Sequence, residues 1–461
     1  MDKKSMKISL RMLVLCVVAL FSAESFGADP SDKQPAAERK DDKSPSDVAD
    51  ETDANNETQE VVLKVTCGCK GRELELYQQA AKEWEDLTGH HVEIITLPSE
   101  SNERLNLYLQ LLRAESQDLD ILIIDVTWPG ILANYLVDLK KHFEDEIFAF
   151  FPVCIENNTI DGRLVAIPWY IDVGILYCRR DLLEKYGHSV PKTWDDLEKI
   201  AVDIQNKERT NGNSRMWGYV FQGKSYEGLT VNVVEWFCSA GGGIMDDKGK
   251  LAIDTQSNRH MLNMICKWIG TIAPSGVLGY TEEEARGVFQ SGNAVFMRSW
   301  PYAFALLNSP DCPLAGKVDV APLPMSPGGR HVGTLGGWSL GISKFSKHPK
   351  EATAFLRYLT CRREQKRRAI EGGMSPSRPD LYKDKGLIQA QPFFAKLSDI
   401  LINMVARPSS QFGSLYSQAT TEIFNSIHSM IAGHRPIDVG LKQLNKRLSQ
   451  LLDRINRHTG E

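Results

Sequence analysis

Residues 121–125 (ILIID) are four consecutive apolar residues followed by a carboxylate. A fully apolar run of this length is typical of a strand that is buried on both faces. Two β-rich runs precede it at residues 61–66 (VVLKVT) and 91–97, and helical patterns separate the three runs. This alternation of strand and helix predicts an α/β fold whose parallel sheet is covered on both faces.

The rest of the chain continues this mixture. Residues 193–207 begin with the capping signal Thr-Trp-Asp-Asp and are predicted to form a helix, and residues 217–221 are predicted to form a strand. The leucines of residues 436–456 are spaced for a single buried face, which predicts a long final helix. Further helices are predicted at residues 73–88, 104–114, 231–240, 258–271, 281–290 and 349–363.

The first 60 residues contain little that a folded core would use. Basic residues precede an apolar run at residues 12–21, and Ser25 and Gly27 are small residues at the two positions that a signal peptidase recognises. The apolar run is about half of a bilayer span, so we expect a cleavable signal peptide over residues 1–27 rather than a membrane anchor. Residues 28–60 are predicted to be a disordered tether. The mature protein is therefore expected in the periplasm.

The length and composition of the chain limit its class. A chain of 461 residues is too long for one ordinary core, which indicates two domains or lobes. The formal net charge is −5, with acidic and basic residues intermixed, so no nucleic-acid partner is expected. Cys67 and Cys69 are too close in sequence for an unstrained bridge, and no zinc-site spacing accompanies them, so no metal is expected. Small, buried side chains are expected at Cys178, Cys238, Cys266 and Cys361.

Two motifs suggest enzymes but have the wrong context. Residues 218–225 (GYVFQGKS) match a phosphate-binding loop, yet the residues between its glycines favour an extended strand rather than a loop that curls around phosphates. Residues 337–341 (GWSLG) match the nucleophile elbow of serine hydrolases, which places its serine on a sharp turn into a helix. A strand-like pattern follows Ser339 instead, and the next predicted helix begins near Pro349. We therefore expect neither a nucleotide cofactor nor a catalytic Ser339.

Four carboxylates, Glu73, Asp125, Asp172 and Glu227, leave two interpretations open. Two of them can share the acid and base roles of glycoside cleavage, or ionised carboxylates can accept hydrogen bonds from sugar hydroxyls without reacting. A sugar ring packs its C–H face on an aromatic face while its hydroxyls bind charged groups, so nearby aromatic residues favour a carbohydrate site. Aromatic residues occur beside the polar candidates at Trp128, Trp169, Tyr170, Trp300, Tyr302 and Trp338.

Eight short segments in the same order give the chain a family resemblance from Val61 to the C-terminus. It resembles the periplasmic solute-binding proteins of ABC importers for disaccharides, and most closely the trehalose/maltose-binding proteins. The segments are residues 125–128 (DVTW), 168–177 (PWYIDVGILY), 179–187 (RRDLLEKYG), 223–229 (GKSYEGL), 299–303 (SWPYA), 320–324 (VAPLP), 334–338 (TLGGW) and 406–408 (ARP).

The resemblance implies a set of ligand contacts. Asp125 corresponds to a carboxylate that accepts sugar hydroxyls at the end of the third strand. Asp172, in a Tyr-Ile-Asp element with Tyr170, corresponds to a second acceptor from the other lobe. Stacking partners are implied at Trp300, Tyr302 and Trp338. Further contacts are implied at Gly337 (through its backbone), Arg407, Glu73 and Arg104. Residues 67–71 (CGCKG) depart from the family, whose loop here is rich in glycine and lacks the cysteines.

The resemblance also implies the architecture and the mechanism. It implies a type II, maltose-binding-protein-like fold of two α/β lobes joined by a hinge with three crossings. The expected N-terminal lobe is 61–167 plus 324–375, and the expected C-terminal lobe is 168–323 plus 376–461. A monomer of this kind captures a disaccharide by hinge closure and delivers it to ABC permease subunits, which use a separate cytoplasmic ATPase. The alternatives are an exported glycoside-active enzyme that uses Asp172 and Glu73, and a binding protein for another oligosaccharide or sugar derivative.

Overall fold

The computed structural model describes residues 60–98, 101–246 and 248–459. The predicted signal peptide and residues 28–59 of the predicted tether lie outside the described residues. No helix in the described ranges is long and apolar enough to cross a membrane.

The described part of the chain contains both strands and helices along most of its length. The strands are β1 (Val62–Cys67), β2 (His91–Thr96), β3 (Ile121–Asp125), β4 (Thr159–Ile160), β5 (Arg163–Leu164), β6 (Ile167–Val173), β7 (Ile175–Arg179), β8 (Trp217–Val220), β9 (Ala294–Ser299), β10 (Val318–Ala321), β11 (Gly333–Ile342) and β12 (Met404–Val405). The helices are α1 (Arg72–Thr88), α2 (Ser101–Arg113), α3 (Pro129–Leu132), α4 (Pro152–Asn157), α5 (Arg180–Tyr186), α6 (Trp194–Thr210), α7 (Glu227–Ser239), α8 (Gln256–Trp268), α9 (Glu282–Gln290), α10 (Ala303–Leu307), α11 (Pro349–Thr360), α12 (Arg362–Gly372), α13 (Lys385–Ala390), α14 (Phe393–Leu401), α15 (Ser409–Phe412), α16 (Tyr416–Ile431) and α17 (Ile437–Thr459).

The first sheet begins as the sequence predicts. Strand β1 is parallel to both β2 and β3, with the α1 and α2 crossovers between them. Every residue of β3 before its terminal aspartate is buried, as expected for a strand covered on both faces. Within the described ranges this sheet has six strands, because β6, β11 and β12 join it.

Strand β11 is the central element of this sheet. It pairs antiparallel with β3, where Trp338 lies opposite Asp125, and antiparallel with β6, where Gly336 lies opposite Asp172. A single strand therefore connects an element near the start of the folded region with one about fifty residues further on. Sequence periodicity does not reveal this pairing, since β11 follows both partners by more than 150 residues.

A second sheet, with the order β10-β7-β9-β8 in the described residues, forms the centre of the other lobe. The chain leaves the first sheet with β6 and enters the second with β7, and Gly174 alone separates the two strands. The helical hairpin of α16 and α17 packs on this lobe, and the predicted face of the final helix is confirmed: Leu441, Leu444 and Leu448 are fully buried.

Two predicted details need correction. The helix predicted at residues 349–363 is two helices, α11 and α12, because Cys361 has an extended backbone (φ −65°, ψ 159°) that interrupts the helical hydrogen bonds. Of the four cysteines expected to be buried, Cys178 is fully buried, whereas Cys238, Cys266 and Cys361 are only half-buried.

Candidate functional site

The segment of β11 from Leu335 to Trp338 gathers most of the residues that the sequence suggested. Asp125 and Tyr170 lie opposite Trp338 on the two neighbouring strands, and Asp172 lies opposite Gly336. The guanidinium of Arg407 points to the carbonyl of Leu335, with 3.4 Å between Nη2 and the oxygen. This four-residue segment is therefore the structural centre of the candidate site.

Trp338 is held as a platform by two neighbours. The guanidinium carbon of Arg104 lies 4.2 Å from the centre of the Trp338 ring. The ring of Trp128 meets Trp338 edge-on, at 5.7 Å and 85°. Trp128 itself is buried, so it supports the platform, whereas Trp338 keeps part of its surface exposed. Cation–π and edge-to-face contacts of this kind fix a ring in orientation.

Gly337 has a structural reason to be glycine. Its φ of +107° is one that residues with a side chain rarely adopt, and a Cβ here would lie 2.3 Å from the carbonyl oxygen of Tyr170. The missing side chain therefore makes room for strand β6. A backbone contact from Gly337 to a ligand stays a prediction.

Glu73, Tyr170 and Asp172 form a polar group beside the platform. The hydroxyl of Tyr170 donates to Oε1 of Glu73 at 2.7 Å, which ties α1 to β6. Burial and the negative charge of Glu73 together raise the pKa of Asp172 to about 7, and Arg298 partly opposes both effects. The ionisation of Asp172 therefore depends on the charges around it.

The assignment of Asp172 to the C-terminal lobe stays a prediction. Its strand, β6, is hydrogen-bonded to β11 of the first sheet, and the chain reaches the second sheet only beyond Gly174. Asp125 and Asp172 lie on strands at opposite edges of β11, so the central strand separates the two carboxylates.

The Trp300-Pro301-Tyr302 turn forms the aromatic part of the site that follows β9. The ring of Trp300 lies against Gly336, where a Cβ would approach its Cζ3 atom to 2.9 Å. Its indole nitrogen faces Oε1 of Glu282 at 3.3 Å. Tyr302 lies further out: it is 42% exposed, and its hydroxyl donates to Glu283 at 2.7 Å. Among the predicted contacts Tyr302 is the one most open to solvent.

Arg407 is oriented by a carboxylate from another element. Its Nη1 donates to Oε1 of Glu227 at 2.8 Å, and the hydroxyl of Tyr416 donates to the same oxygen at 2.6 Å. Burial by itself would lower the pKa of Arg407, but the negative charge of Glu227 raises it above its ordinary value. Arg407 is 7% exposed, while the Glu227 side chain keeps 35% of its surface exposed, so this carboxylate remains accessible to a ligand.

Ser339 has none of the surroundings of a nucleophile. It lies within β11, is 2% exposed, and its hydroxyl accepts a hydrogen bond from Nδ2 of Asn158 at 2.9 Å. The space between Asn158, Tyr170 and Ser339 has no room for a water molecule. The next helix begins at Pro349, as predicted, so the sharp strand-to-helix turn of a hydrolase is absent from this segment.

The formal phosphate loop begins as a strand, and its residues 221–225 lie outside any strand or helix. Residues 217–220 form β8, which pairs parallel with β9, and Gln222 is fully buried with its amide donating to the carbonyl of Arg298. The backbone of this segment is therefore used in the sheet and in the core.

Sequence reasoning missed Arg368. This fully buried arginine of α12 lies flat on Trp169, with 3.8 Å between its guanidinium carbon and the ring centre, and 5.4 Å from the ring of Tyr170. Burial lowers its pKa. Residues 362–368 carry five basic side chains, a composition typical of a solvated helix face; the spacing of Gln365, Arg368 and Ala369 was the only signal of burial.

The unusual Cys67–Cys69 loop lies under the same platform. Both cysteines are buried, and the amide of Cys69 donates to Sγ of Cys67 at 3.0 Å. Gly68, between them, lies against the guanidinium of Arg104. The departure from the family pattern thus touches two predicted contacts, because Glu73 begins the helix directly after this loop.

A cavity of about 470 Å³ lies on the other side of Arg407. Its lining includes Arg407, Glu156, Asp246 and Arg330, and Arg407 is the one predicted ligand contact among its lining residues. The remaining predicted contacts converge instead on the β11 segment.

The fold and the arrangement of polar and aromatic residues around β11 define a class of protein, and comparison with known proteins identifies it. Residues 70–366 match the family of bacterial extracellular solute-binding proteins. The chain belongs to this family, and its two-lobed α/β fold is of the maltose-binding-protein-like, type II kind.

Individual relatives are similar over most of their length. A "Probable ABC transporter-binding protein" of Deinococcus radiodurans is 43% identical over 404 residues, which cover 87% of this chain and 96% of the relative. The structure described as "Maltose bound T. maritima MalE3" has a TM-score of 0.75 and 38% identity, and the match covers 85% of this chain and all of that one. The maltodextrin-binding protein MdxE of Bacillus subtilis is 26% identical over 237 residues, 49% of this chain and 52% of its own.

Proposed function

We propose that this protein captures a disaccharide, with trehalose or maltose favoured, and delivers it to an ABC importer. The observation that carries the proposal is the convergence on residues 335–338 of carboxylates, an oriented arginine and partly exposed aromatic faces. Ionised carboxylates and a guanidinium bind the edge hydroxyls of a sugar, while the aromatic faces bind its C–H surface. The maltose bound in T. maritima MalE3 supports the same ligand class for this chain.

Each predicted contact has a role in this proposal. Asp125, Asp172 and Glu73 accept from hydroxyls, while Arg104 and Arg407 donate to them. Trp338 and Trp300 stack on the two sugar rings, and Tyr302 extends the stacking toward the opening of the cleft. Tyr170 and the backbone of Gly337 complete the polar contacts. Glu227, one of the four carboxylates of the sequence but not among the contacts that the resemblance implies, is added because it orients Arg407 and its side chain keeps 35% of its surface exposed.

Capture works by closure of the two lobes, 61–167 plus 324–375 and 168–323 plus 376–461. An open form exposes the cleft, and the ligand favours the closed form to the extent that it binds that form more tightly. The closed monomer then docks on permease subunits, and a separate cytoplasmic ATPase supplies the energy. The extracellular character of the family supports a periplasmic site of action.

A thermal-unfolding panel tests the proposal. Trehalose, maltose, lactose and mannitol are compared at concentrations far above expected dissociation constants. A sugar at a hundred times its dissociation constant should stabilise the protein by about 2.7 kcal/mol. We expect a clear rise in melting temperature with trehalose or maltose and none with mannitol. A panel in which no disaccharide raises the melting temperature would reject the proposal.

One observation supports the alternative of a glycoside-active enzyme. Asp172 and Glu73 interact electrostatically, and the pKa of Asp172 is raised to about 7, as a general acid requires. Incubation of the protein with trehalose or maltose separates the alternatives, because cleavage releases glucose whereas binding returns the sugar unchanged. Asp172→Asn is the matched control: glucose release by the wild type that disappears in this variant would establish the enzyme.

A further inference from the structure

A fully buried ion pair lies directly behind the candidate site. Arg298, near the end of β9, and Glu235, in α7, each have side chains that are 1% exposed. Two parallel hydrogen bonds join them: Nε donates to Oε2 at 2.9 Å, and Nη2 donates to Oε1 at 2.6 Å. An ion pair with such burial contributes less to stability than its geometry suggests, because both charges lose their hydration. Its position therefore calls for an explanation beyond stability.

The arginine end of the pair contacts the aromatic part of the site. The guanidinium carbon of Arg298 is 4.1 Å from the ring centre of Trp300. The edge of the same ring lies against Gly336, and its nitrogen faces Glu282. Arg298 also influences Asp172 electrostatically. The cation thus occupies one side of the Trp300 ring.

The glutamate end contacts the strand that crosses between the lobes. Oε1 of Glu235 accepts a hydrogen bond from the backbone amide of Thr334, at the start of β11, at 3.2 Å. It also lies against Gly174, the residue between β6 and β7, where a Cβ would come within 1.8 Å of the same oxygen. Both places at which the chain passes between the sheets near the site therefore touch this carboxylate.

We infer that the Glu235–Arg298 pair is a positioning element of the cleft, which fixes the Trp300 ring relative to β11 before a ligand arrives. Neither residue needs to touch the ligand. The guanidinium holds the ring from behind, and the carboxylate holds the guanidinium and the crossing strand together. Binding is tighter when the ring is already in place, because less side-chain freedom is lost on association. The inference rests on the proposed sugar site but is tested separately from it.

The test compares Arg298→Lys with a matched control, Arg179→Lys. Lysine keeps the charge but lacks the planar fork that makes two bonds and lies flat on a ring. Arg179 makes the same kind of bidentate pair, with Asp181, in the same lobe and is 8% exposed, yet its hydrogen bonds go to Asp181 and to the carbonyl of Gly292. We expect Arg298→Lys to weaken binding of trehalose or maltose about tenfold, equivalent to 1.4 kcal/mol, and Arg179→Lys to leave it unchanged.

A double-mutant cycle shows whether the effect passes through the ring. In a Trp300→Ala background, Arg298→Lys should produce no further loss of affinity, because the group that it positions is gone. A merely structural role would give the same loss in both backgrounds. Glu235→Gln, which keeps the shape of the side chain, replaces Arg298→Lys if that variant folds poorly. It should reduce affinity when Trp300 is present and cause no further loss in the Trp300→Ala background.

Fluorine NMR of protein labelled with fluorotryptophan gives a readout that needs no ligand. The chain has nine tryptophans, and Trp300→Phe identifies the signal of Trp300. Arg298→Lys should shift or broaden that signal while those of Trp84 and Trp128 stay in place. An unchanged Trp300 signal together with unchanged affinity would overturn the inference. If no disaccharide binds the wild type, the proposed function fails, and the NMR signal still decides whether the pair positions the ring.

Discussion

Helix α7 contributes a glutamate to each of two arginine–glutamate pairs, and the two pairs differ in exposure. The glutamates, Glu227 and Glu235, are eight residues apart. In the sealed pair, Glu235 and Arg298 are each 1% exposed, and the carboxylate is fully used by the guanidinium and by the Thr334 amide. In the open pair, Arg407 is buried while Glu227 keeps 35% of its side-chain surface exposed. The same two residue types thus serve different ends: a sealed pair can only position its neighbours, whereas an open pair can also bind a ligand.

The electrostatic surroundings of the two pairs follow from this difference. Burial would lower the pKa of both arginines, and in both the partner glutamate raises it above the ordinary value. Both arginines therefore stay charged. The difference between the two pairs is the exposure of the partner glutamate.

The largest effect is expected from breaking the sealed pair. Glu235→Leu removes the partner of a buried guanidinium, and an uncompensated buried charge typically costs 3–5 kcal/mol, so we expect a loss of about that size in the free energy of unfolding. Glu227→Gln should cost only about 1 kcal/mol, because the amide oxygen still accepts hydrogen bonds. Urea unfolding of both variants measures the difference. Equal losses in the free energy of unfolding would show that the two pairs contribute equally to stability despite their different exposure.

The open pair is expected to affect binding rather than stability. Arg407→Lys removes the fork that contacts Glu227 and that we propose binds the sugar, and a hydrogen bond to a charged group is worth roughly 1.5–3 kcal/mol. Calorimetric titration with trehalose or maltose should show a loss of that size with little change in melting temperature. Unchanged affinity with a large drop in melting temperature would make Arg407 a purely structural residue.

Adjacent positions of β11 offer a smaller contrast of the same kind. Trp338→Ala should reduce the free energy of binding by at least about 1.4 kcal/mol, because it removes the partly exposed platform. Ser339→Ala should leave binding nearly intact, since its hydroxyl faces Asn158 in the interior. Calorimetry of both variants is the measurement, and a reversed order would revive the hydrolase interpretation.

Ionisation of Asp172 should make the stability of the folded protein depend on pH. The folded protein holds this proton up to about pH 7, whereas an unfolded chain loses it near the ordinary value of an aspartate. The folded state therefore binds more protons between these values, and its stability should fall as the pH rises from about 4 to about 7. Asp172→Asn should lose this component of the pH profile, measured by thermal unfolding without sugar. A profile that is the same in both proteins would contradict the assignment.

The sequence by itself determined the fold class and much of the local structure. The apolar run of β3 and the alternation around it predicted the parallel strands β1, β2 and β3, because burial on both faces leaves a pattern that a single segment carries. The strand-like residues after Ser339 were enough to predict that the elbow motif is not a turn into a helix. Both conclusions depend on neighbours in sequence.

Only the tertiary structure decided how distant residues combine. Glu235 and Arg298 are 63 residues apart, and nothing in either segment indicates that they form a sealed pair. The burial of Arg368 within a strongly basic helix, the use of Gly337 to admit strand β6, and the division between Trp128 as support and Trp338 as platform have the same origin. Each depends on contacts between segments that are far apart in the sequence, and such contacts are fixed by packing of the whole chain rather than by any local pattern.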